Sequence, residues 1–282
     1  MGCLPGYKDR IQLAQVRKDE YRCWQTVFRL HKLDPRRAGA SRIFGTGMLL
    51  AIRSVLFAYT LAVWIVSVIE DVQNGVMKAH FVYFTYLCYT GLLAYLASSL
   101  FHTLQYWRRG EPTSFTQMPK TLQLLHWLLF ESVVLYAVIV TALFWSLIYS
   151  PDNYTTQELK WTTASVHATN SVCVIVDMVI GSMVFSPHWS HPLLLCIVVT
   201  LYLALAYINY AVNGWFVYSF LDYKKHKAME AAIIFGLLAG FLVVYYVVYV
   251  LQLLLDRFFS PKFNYARKST EDVCTLVSNR SV

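Results

Sequence analysis

The stretch LQLLHWLLFESVVLYAVIVTALFWSLIY, residues 122–149, holds a single charged residue, Glu131. It is longer than the about 20 apolar residues that an α-helix needs to cross the hydrocarbon core of a bilayer. Polar backbone groups in lipid must be satisfied within the segment itself, so the stretch predicts a membrane-spanning helix. Five further runs of this kind occur, at 48–69, 79–101, 161–185, 192–216 and 229–255. The sequence therefore predicts an all-α, polytopic integral membrane protein with a six-transmembrane-helix bundle.

Composition supports this class. Of the 282 residues 57% are hydrophobic and 14% are charged, whereas soluble domains carry about 25% charged residues. The net charge is +8, and the basic residues collect in the terminal segments. This placement indicates a topology signal and contact with anionic lipid rather than with nucleic acid. The six cysteines show no CxxC or Cys/His spacing, so no disulfide, metal site or cofactor is predicted.

The chain divides into three predicted parts. Residues 1–47 form a basic tail, residues 48–255 form the six-helix domain, and residues 256–282 form a second tail. An even number of spans places both termini on one side, which the basic residues assign to the cytosol. The endoplasmic reticulum and the plasma membrane both remain open as locations. The start Met1-Gly2-Cys3 suggests acylation of Gly2 and Cys3.

A hydroxyl and an imidazole are predicted at one depth in the membrane. Thr85 lies six residues past position 79, and His167 lies six past position 161. At about 1.5 Å per residue, both are expected roughly 9 Å below the same boundary. Threonine is a weak nucleophile until a base accepts its proton, and an imidazole can do so. The spacing also fits a structural reading, in which Thr85 bonds its own helix and His167 bridges two helices.

Other polar residues fall inside the predicted spans or at their ends. Three are candidates for substrate contact or for donating to an oxyanion: Asn170, Asn213 and Tyr218. Three charged residues lie deeper, and they are candidates for a buried polar pair: Arg53, Glu131 and Asp177. Pairing Arg53 with either acid would reduce the penalty of placing charge in lipid. A proton path through the two acids is the other use considered.

Four segments resemble a known family, in the same order along the chain. They are FVYFT at 81–85, LFWSLIY at 143–149, His167 followed by Asp177, and GWFVYSFL at 214–221. On these segments the chain resembles the androgen-induced / androgen-dependent TFPI-regulating protein family of six-span membrane proteins. More distantly it is similar to the Rolling stone group. The resemblance covers about residues 48–255 and leaves the tails outside.

The resemblance implies a threonine-dependent hydrolase of fatty acid esters of hydroxy fatty acids (FAHFAs). By position, Thr85 would be the nucleophile and His167 the general base. Some positions depart from the family pattern: Ser219 replaces a proline, Trp215 and Phe216 exchange the usual aromatic position, and Tyr210 and Ala211 stand where animal members have histidines. These departures suggest a divergent, fungal-like branch and bear on substrate preference.

Two other functions are considered. One is a non-enzymatic membrane organiser of the Rolling stone type, in which Thr85 and His167 only bridge helices. The other is a small transporter that uses Glu131 and Asp177 as a proton relay, although the sequence shows no inverted repeat. The predicted partners are membrane lipids and a lipid ester substrate. No nucleic acid and no obligate protein partner is predicted.

Overall fold

A computed structural model describes residues 23–153, 156–226 and 228–259. Six long helices form its framework: α1 Thr46–Gln73, α2 Phe84–Arg109, α3 Lys120–Ile148, α4 Gln157–Ile180, α5 Ser190–Asn213 and α6 Ala228–Phe259. Each contains a segment long and apolar enough to cross a membrane. Within the described ranges there is no β-strand, and one isolated bridge pairs Ser41 with Gly181. The prediction of an all-α, six-span membrane protein is confirmed.

The helices alternate in direction, which defines two sides of the molecule. The residues before α1 and the end of α6 lie on one side, called here the terminal side. The connections that follow α1, α3 and α5 lie on the other, called the distal side. α2 starts on the distal side and α3 ends there, so the first residues of α2 lie level with the last residues of α3.

The third helix is the centre of the bundle. α3 is the most buried of the six spans and contacts α2, α4, α5 and α6. A helix that is apolar on all sides is suited to this enclosed position. The outer helices instead carry large exposed apolar side chains, among them Val55, Leu201, Val212, Phe235 and Val243. These surfaces face lipid in a membrane-embedded bundle.

Two helix starts differ from the predicted ones. α2 begins at Phe84 rather than at 79, because residues Met77–His80 form a separate helical turn. α4 begins at Gln157 rather than at 161, because the Thr156 hydroxyl caps it and accepts the Leu159 N–H at 3.2 Å. The prediction that Thr85 and His167 lie equally far from the starts of their helices is therefore wrong. Thr85 is the second residue of α2, whereas His167 lies ten residues past the first residue of α4.

The fourth helix also ends earlier than predicted, at Ile180 instead of 185. Residues 181–186, called here the extended segment, are not helical. At the turn, the Gly181 N–H donates to the Asp177 carbonyl at 2.7 Å. A Cβ atom at Gly181 would lie 2.6 Å from that carbonyl oxygen, so the chain can leave the helix this tightly only with glycine.

Side chains from other elements satisfy the backbone of the extended segment. Carbonyl groups of the segment accept hydrogen bonds from Arg37, Arg42, Trp127 and Tyr245. The Phe185 N–H donates to Gln252 Oε1 and the Ser186 N–H donates to Glu131 Oε1, each at 2.7 Å. Non-helical backbone at membrane depth is tolerated when protein groups supply its partners.

The described part of the predicted N-terminal tail packs against the bundle. Leu30 and Ala38 are buried, and Arg37 and Arg42 both pair with Asp256 near the end of α6, at 2.8 and 3.3 Å. The Ser41 hydroxyl donates to the Ile180 carbonyl at 2.7 Å. Residues before α1 thus join the terminal ends of α4 and α6.

The three charged residues predicted to lie deep in the membrane fall into two separate groups. Arg53, which is 0% exposed, pairs with Asp177 through its Nε at 2.7 Å and its Nη2 at 3.2 Å. Tyr95 Oη donates to the same carboxylate at 2.6 Å. Glu131 lies instead 2.9 Å from Nδ1 of His191. Of the two pairings considered for Arg53, the one with Asp177 is therefore formed.

Candidate functional site

A narrow cavity of about 70 Å³ lies towards the distal side. It is called here the Thr85 cavity and lies between α2, α3, α5, α6 and the connection after α5. Most of its lining is aliphatic or aromatic, from residues such as Val140, Leu203, Leu238 and Phe241. Among the lining residues, Thr85, Tyr202 and Tyr218 carry polar side-chain atoms. The cavity is therefore apolar except where these three hydroxyl groups line it.

Three hydroxyl groups meet at the start of α2. The Tyr218 hydroxyl interacts with the side chains of both Thr85 and Tyr202. The Phe84 N–H donates to Tyr218 Oη at 3.2 Å, and Tyr202 Oη donates to the Val82 carbonyl at 3.1 Å. Burial raises the pKa of Tyr218 to about 12. Its hydroxyl is therefore protonated at neutral pH and acts as a hydrogen-bond donor rather than as a base.

His167 lies beside this cavity without lining it. It belongs to the π-helical turn Ser165–Thr169 of α4. Its ring stacks on Phe144, with centroids 3.5 Å apart and planes 4° from parallel. Phe144 itself lines the Thr85 cavity and begins the π-helical turn Phe144–Ile148 at the end of α3. His167 Nδ1 is buried and has no hydrogen-bond partner among the described residues.

The structure therefore brings together some of the predicted site residues and not others. Thr85 and Tyr218 are in contact, whereas no hydrogen bond between Thr85 and His167 occurs in the described part of the chain. α2 does contact the π-helical turn that carries His167. The Phe144 ring both stacks on the imidazole and lines the cavity.

The two predicted asparagines point elsewhere. Asn170 Oδ1 accepts from Thr141 Oγ1 at 3.3 Å and from the Ser171 N–H at 2.6 Å, so it joins α4 to α3. Asn213 Nδ2 donates to Asn209 Oδ1 at 2.9 Å at the end of α5. Neither lines the Thr85 cavity. Of the three oxyanion candidates, Tyr218 alone lines the cavity with Thr85.

The deep charged residues are outside this cavity. Arg53, Glu131 and Asp177 are absent from its lining. Arg53 donates further to the Ala38 carbonyl at 2.9 Å and to Thr103 Oγ1 at 2.7 Å. These partners bind α1 to α2, α4 and the segment before α1. The structural role of the pair stays a prediction.

A scan against protein-family models matches residues 48–253 to the FAR-17a/AIG1-like protein family. The chain belongs to this family. The match confirms the androgen-induced family that the four segments indicated. Searches of curated proteins and of solved structures returned no match.

Three of the four FAR-17a/AIG1-like segments meet in the Thr85 cavity. The first supplies Phe84 and Thr85, the second Phe144 among others, and the last Tyr218 and Phe220. The remaining segment places His167 on the Phe144 ring. Sequence reasoning did not single out Phe144 or Tyr202. Phe144 could have been predicted from its place in the second segment. For Tyr202, the neighbouring sequence gives no indication of a functional role beyond its position on a membrane helix.

Proposed function

We propose that this FAR-17a/AIG1-like protein is an integral-membrane lipid ester hydrolase that acts on FAHFAs with Thr85 as nucleophile. The observation that supports it is the convergence of three distant family segments on one apolar cavity that contains the Thr85 hydroxyl. The enzyme would reside in an endomembrane or the plasma membrane with both termini in the cytosol. Its partners would be membrane lipids, and the reaction requires no cofactor.

Binding follows from the lining of the cavity. An acyl chain would lie among aliphatic and aromatic side chains such as Leu238 and Phe241. The ester carbonyl would then sit at the three hydroxyls, since they are the polar side-chain groups of the lining. A substrate whose chains already reside in lipid reaches this site without crossing water.

The chemistry would proceed in two steps. Thr85 Oγ1 attacks the ester carbonyl carbon while His167 takes the threonine proton. The carbon–oxygen bond to the hydroxy fatty acid breaks, and that alcohol leaves with the proton from His167. Water, deprotonated by His167, then attacks the acyl-threonine. The carbon–oxygen bond to Thr85 breaks, the fatty acid leaves, and His167 returns the proton to Thr85 Oγ1. Tyr218 would donate its phenolic proton to the oxyanion, because the Phe84 N–H already occupies a lone pair of its oxygen.

The first step requires a change in one side chain. Phe144 is stacked on His167 and lines the Thr85 cavity. We take its ring as the separator between base and nucleophile. Rotation of Phe144 away from the imidazole would open the path to Thr85. Catalytic hydrogen bonds are often long or incomplete before substrate binds.

One observation favours the non-enzymatic organiser as the second candidate. His167 is held by ring stacking and makes no hydrogen bond to Thr85, as expected if both residues only pack helices together. The transporter alternative has less support, because Asp177 is held by Arg53 and Tyr95 and Glu131 by His191 and the Ser186 N–H.

The deciding experiment is FAHFA hydrolysis by the purified protein in detergent. Thr85→Ala should lower kcat by at least about 10³-fold and His167→Ala by about 10²–10⁴-fold, whereas Thr85→Ser should keep part of the activity. Thr90→Ala is the matched control, because Thr90 lies in α2 but bonds Trp64 and the Tyr86 carbonyl instead. Full hydrolysis by folded Thr85→Ala, or none by the wild type on any lipid ester, would favour the organiser.

A further inference from the structure

A second and larger cavity lies on the distal side, beyond the end of α5. It has a volume of about 380 Å³ and is called here the outer cavity. Tyr210 and Phe216 form one wall, with ring centroids 3.9 Å apart and planes 12° from parallel. Trp215 and Ser219 also line it, and so do Asp222 and Lys224. The cavity thus joins aromatic surface to a cation at the expected edge of the membrane.

Lys224 lies over the Tyr210 ring. Its Nζ atom lies 5.2 Å from the centroid of the Tyr210 ring, a cation–π distance. A hydrogen bond to the Tyr210 hydroxyl raises the pKa of Lys224, so the ammonium stays charged. An ammonium has three N–H donors, and no salt bridge engages Lys224 within the described ranges. Donors are therefore available to an anion.

The carboxylate in this cavity has a structural partner. Asp222 Oδ1 accepts the main-chain N–H of Lys224 at 3.0 Å. It thereby caps the short helix Tyr223–His226. This contact fixes the start of the helix that carries Lys224. Asp222 thus helps to place the lysine at the mouth of the outer cavity.

The outer cavity and the Thr85 cavity share one short piece of chain. Trp215, Phe216 and Ser219 line the outer cavity, whereas Tyr218 and Phe220 line the Thr85 cavity. The connection after α5 therefore runs between them. The two cavities therefore lie on either side of the same short connection.

We propose that the outer cavity binds the free carboxylate of a long-chain lipid, with Lys224 as its anchor. The inference rests on the proposed function, because a FAHFA carries a free carboxylate besides its ester. Lys224 would hold that end at the membrane edge and direct the ester towards Thr85. The enzyme would then prefer acids over their methyl esters, since a methyl ester offers no charge to Lys224.

Binding can be tested without hydrolysis. The Thr85→Ala protein in detergent would be loaded with the fluorescent fatty acid cis-parinarate, which palmitate or methyl palmitate then displaces. Lys224→Gln should weaken palmitate binding by about tenfold and leave methyl palmitate unchanged. Lys224→Arg should restore palmitate binding. Lys78→Gln is the matched control, because Lys78 is an exposed lysine on the same side.

A kinetic comparison completes the test. With Thr85 intact, Lys224→Gln should raise KM for a FAHFA by about tenfold and leave that for its methyl ester unchanged, at equal kcat. Equal effects on acid and methyl ester, or no effect on either, would overturn the assignment. So would stronger displacement by lysophosphatidate than by palmitate, which would indicate a phosphate site. If the wild type hydrolyses nothing, the proposed function fails while the binding arm still decides the role of Lys224.

Discussion

At the residue scale, Tyr218 has the most informative environment in the Thr85 cavity. Its oxygen accepts the Phe84 N–H, and its hydroxyl interacts with the side chains of Thr85 and Tyr202. Because burial raises its pKa to about 12, the phenol stays a donor over the working range of most hydrolases. A donor fixed beside the nucleophile is what an oxyanion requires.

Tyr218→Phe should lower kcat for a lipid ester by about 10²–10³-fold while KM changes little, because the lost hydrogen bond forms only in the transition state. Kinetics in detergent measure both constants. Tyr246→Phe is the control, since Tyr246 lies exposed on α6. A Tyr218→Phe enzyme with unchanged kcat would remove Tyr218 from the mechanism.

The residue types alone identified Tyr218 as a candidate oxyanion donor but did not predict its environment. Tyr218 was one of three candidates, and the chain order could not rank it above Asn170 or Asn213. The ranking depends on which way each side chain points at its helix end. Asn213 bonds Asn209 one turn away, a local contact that a sequence permits but does not require. In the same way, the sequence offered two possible partners for Arg53, Glu131 and Asp177. Which of them lies beside Arg53 depends on how the helices are rotated about their axes, and in the structure it is Asp177.

At the scale of elements, two π-helical turns face each other in α3 and α4. One carries Phe144 and the other His167, and the two rings stack. A π-helical turn inserts an extra residue into the helical ladder and is common at functional sites. Here the two turns bring together rings that belong to different family segments.

Phe144→Ala should increase the reaction of His167 with diethyl pyrocarbonate, because the stacked ring covers one face of the imidazole. Mass spectrometry of the peptide that contains His167 measures the rate of modification. Trp145→Ala is the control, since Trp145 follows Phe144 in the same turn and is 40% exposed. Equal labelling of His167 in both variants would contradict the role of Phe144 as the separator.

Hydropathy predicted all six spans but not their ends. The aromatic residues before Phe84 extended the apolar run to 79, whereas the chain there folds into a separate turn whose His80 pairs with Asp71. For α4, Thr156 is of a residue type that commonly caps the start of a helix. Its cap lets the helix begin at Gln157, although the residues that follow are polar. The π-helical turns had no sequence signal, because they arise from packing between helices.

At the scale of the whole molecule, the segment before α1 closes the terminal side. Arg37 and Arg42 meet Asp256, and burial lowers the pKa of Arg42 to about 10 in spite of that carboxylate. The first and last described parts of the chain are therefore joined through one acidic side chain. The basic character of residues 1–47 predicted a tail. From the sequence, Arg37 and Arg42 could not be distinguished from the other basic residues of that tail, although both pair with Asp256 of the bundle.

Asp256→Ala should destabilise the protein by about 3–5 kcal/mol, because it leaves buried guanidinium groups without their counter-ion. A lower Tm in detergent and faster tryptic cleavage among residues 23–45 would report the loss. Arg257→Ala is the neighbouring control, since Arg257 is exposed. Unchanged Tm and cleavage in Asp256→Ala would show that other contacts hold the segment.

The extended segment has a consequence for biogenesis. Glu131 and Trp127 are synthesised before residues 181–186, but Gln252 follows its partner Phe185 by 67 residues and Tyr245 follows Ser186 by 59. When α4 leaves the ribosome, the Phe185 N–H and the Ser186 carbonyl therefore lack their final partners. Exposing such groups to hydrocarbon is costly, so this stretch should stay in the translocon or in water until α6 arrives. Maturation of this part of the bundle therefore depends on the synthesis of α6.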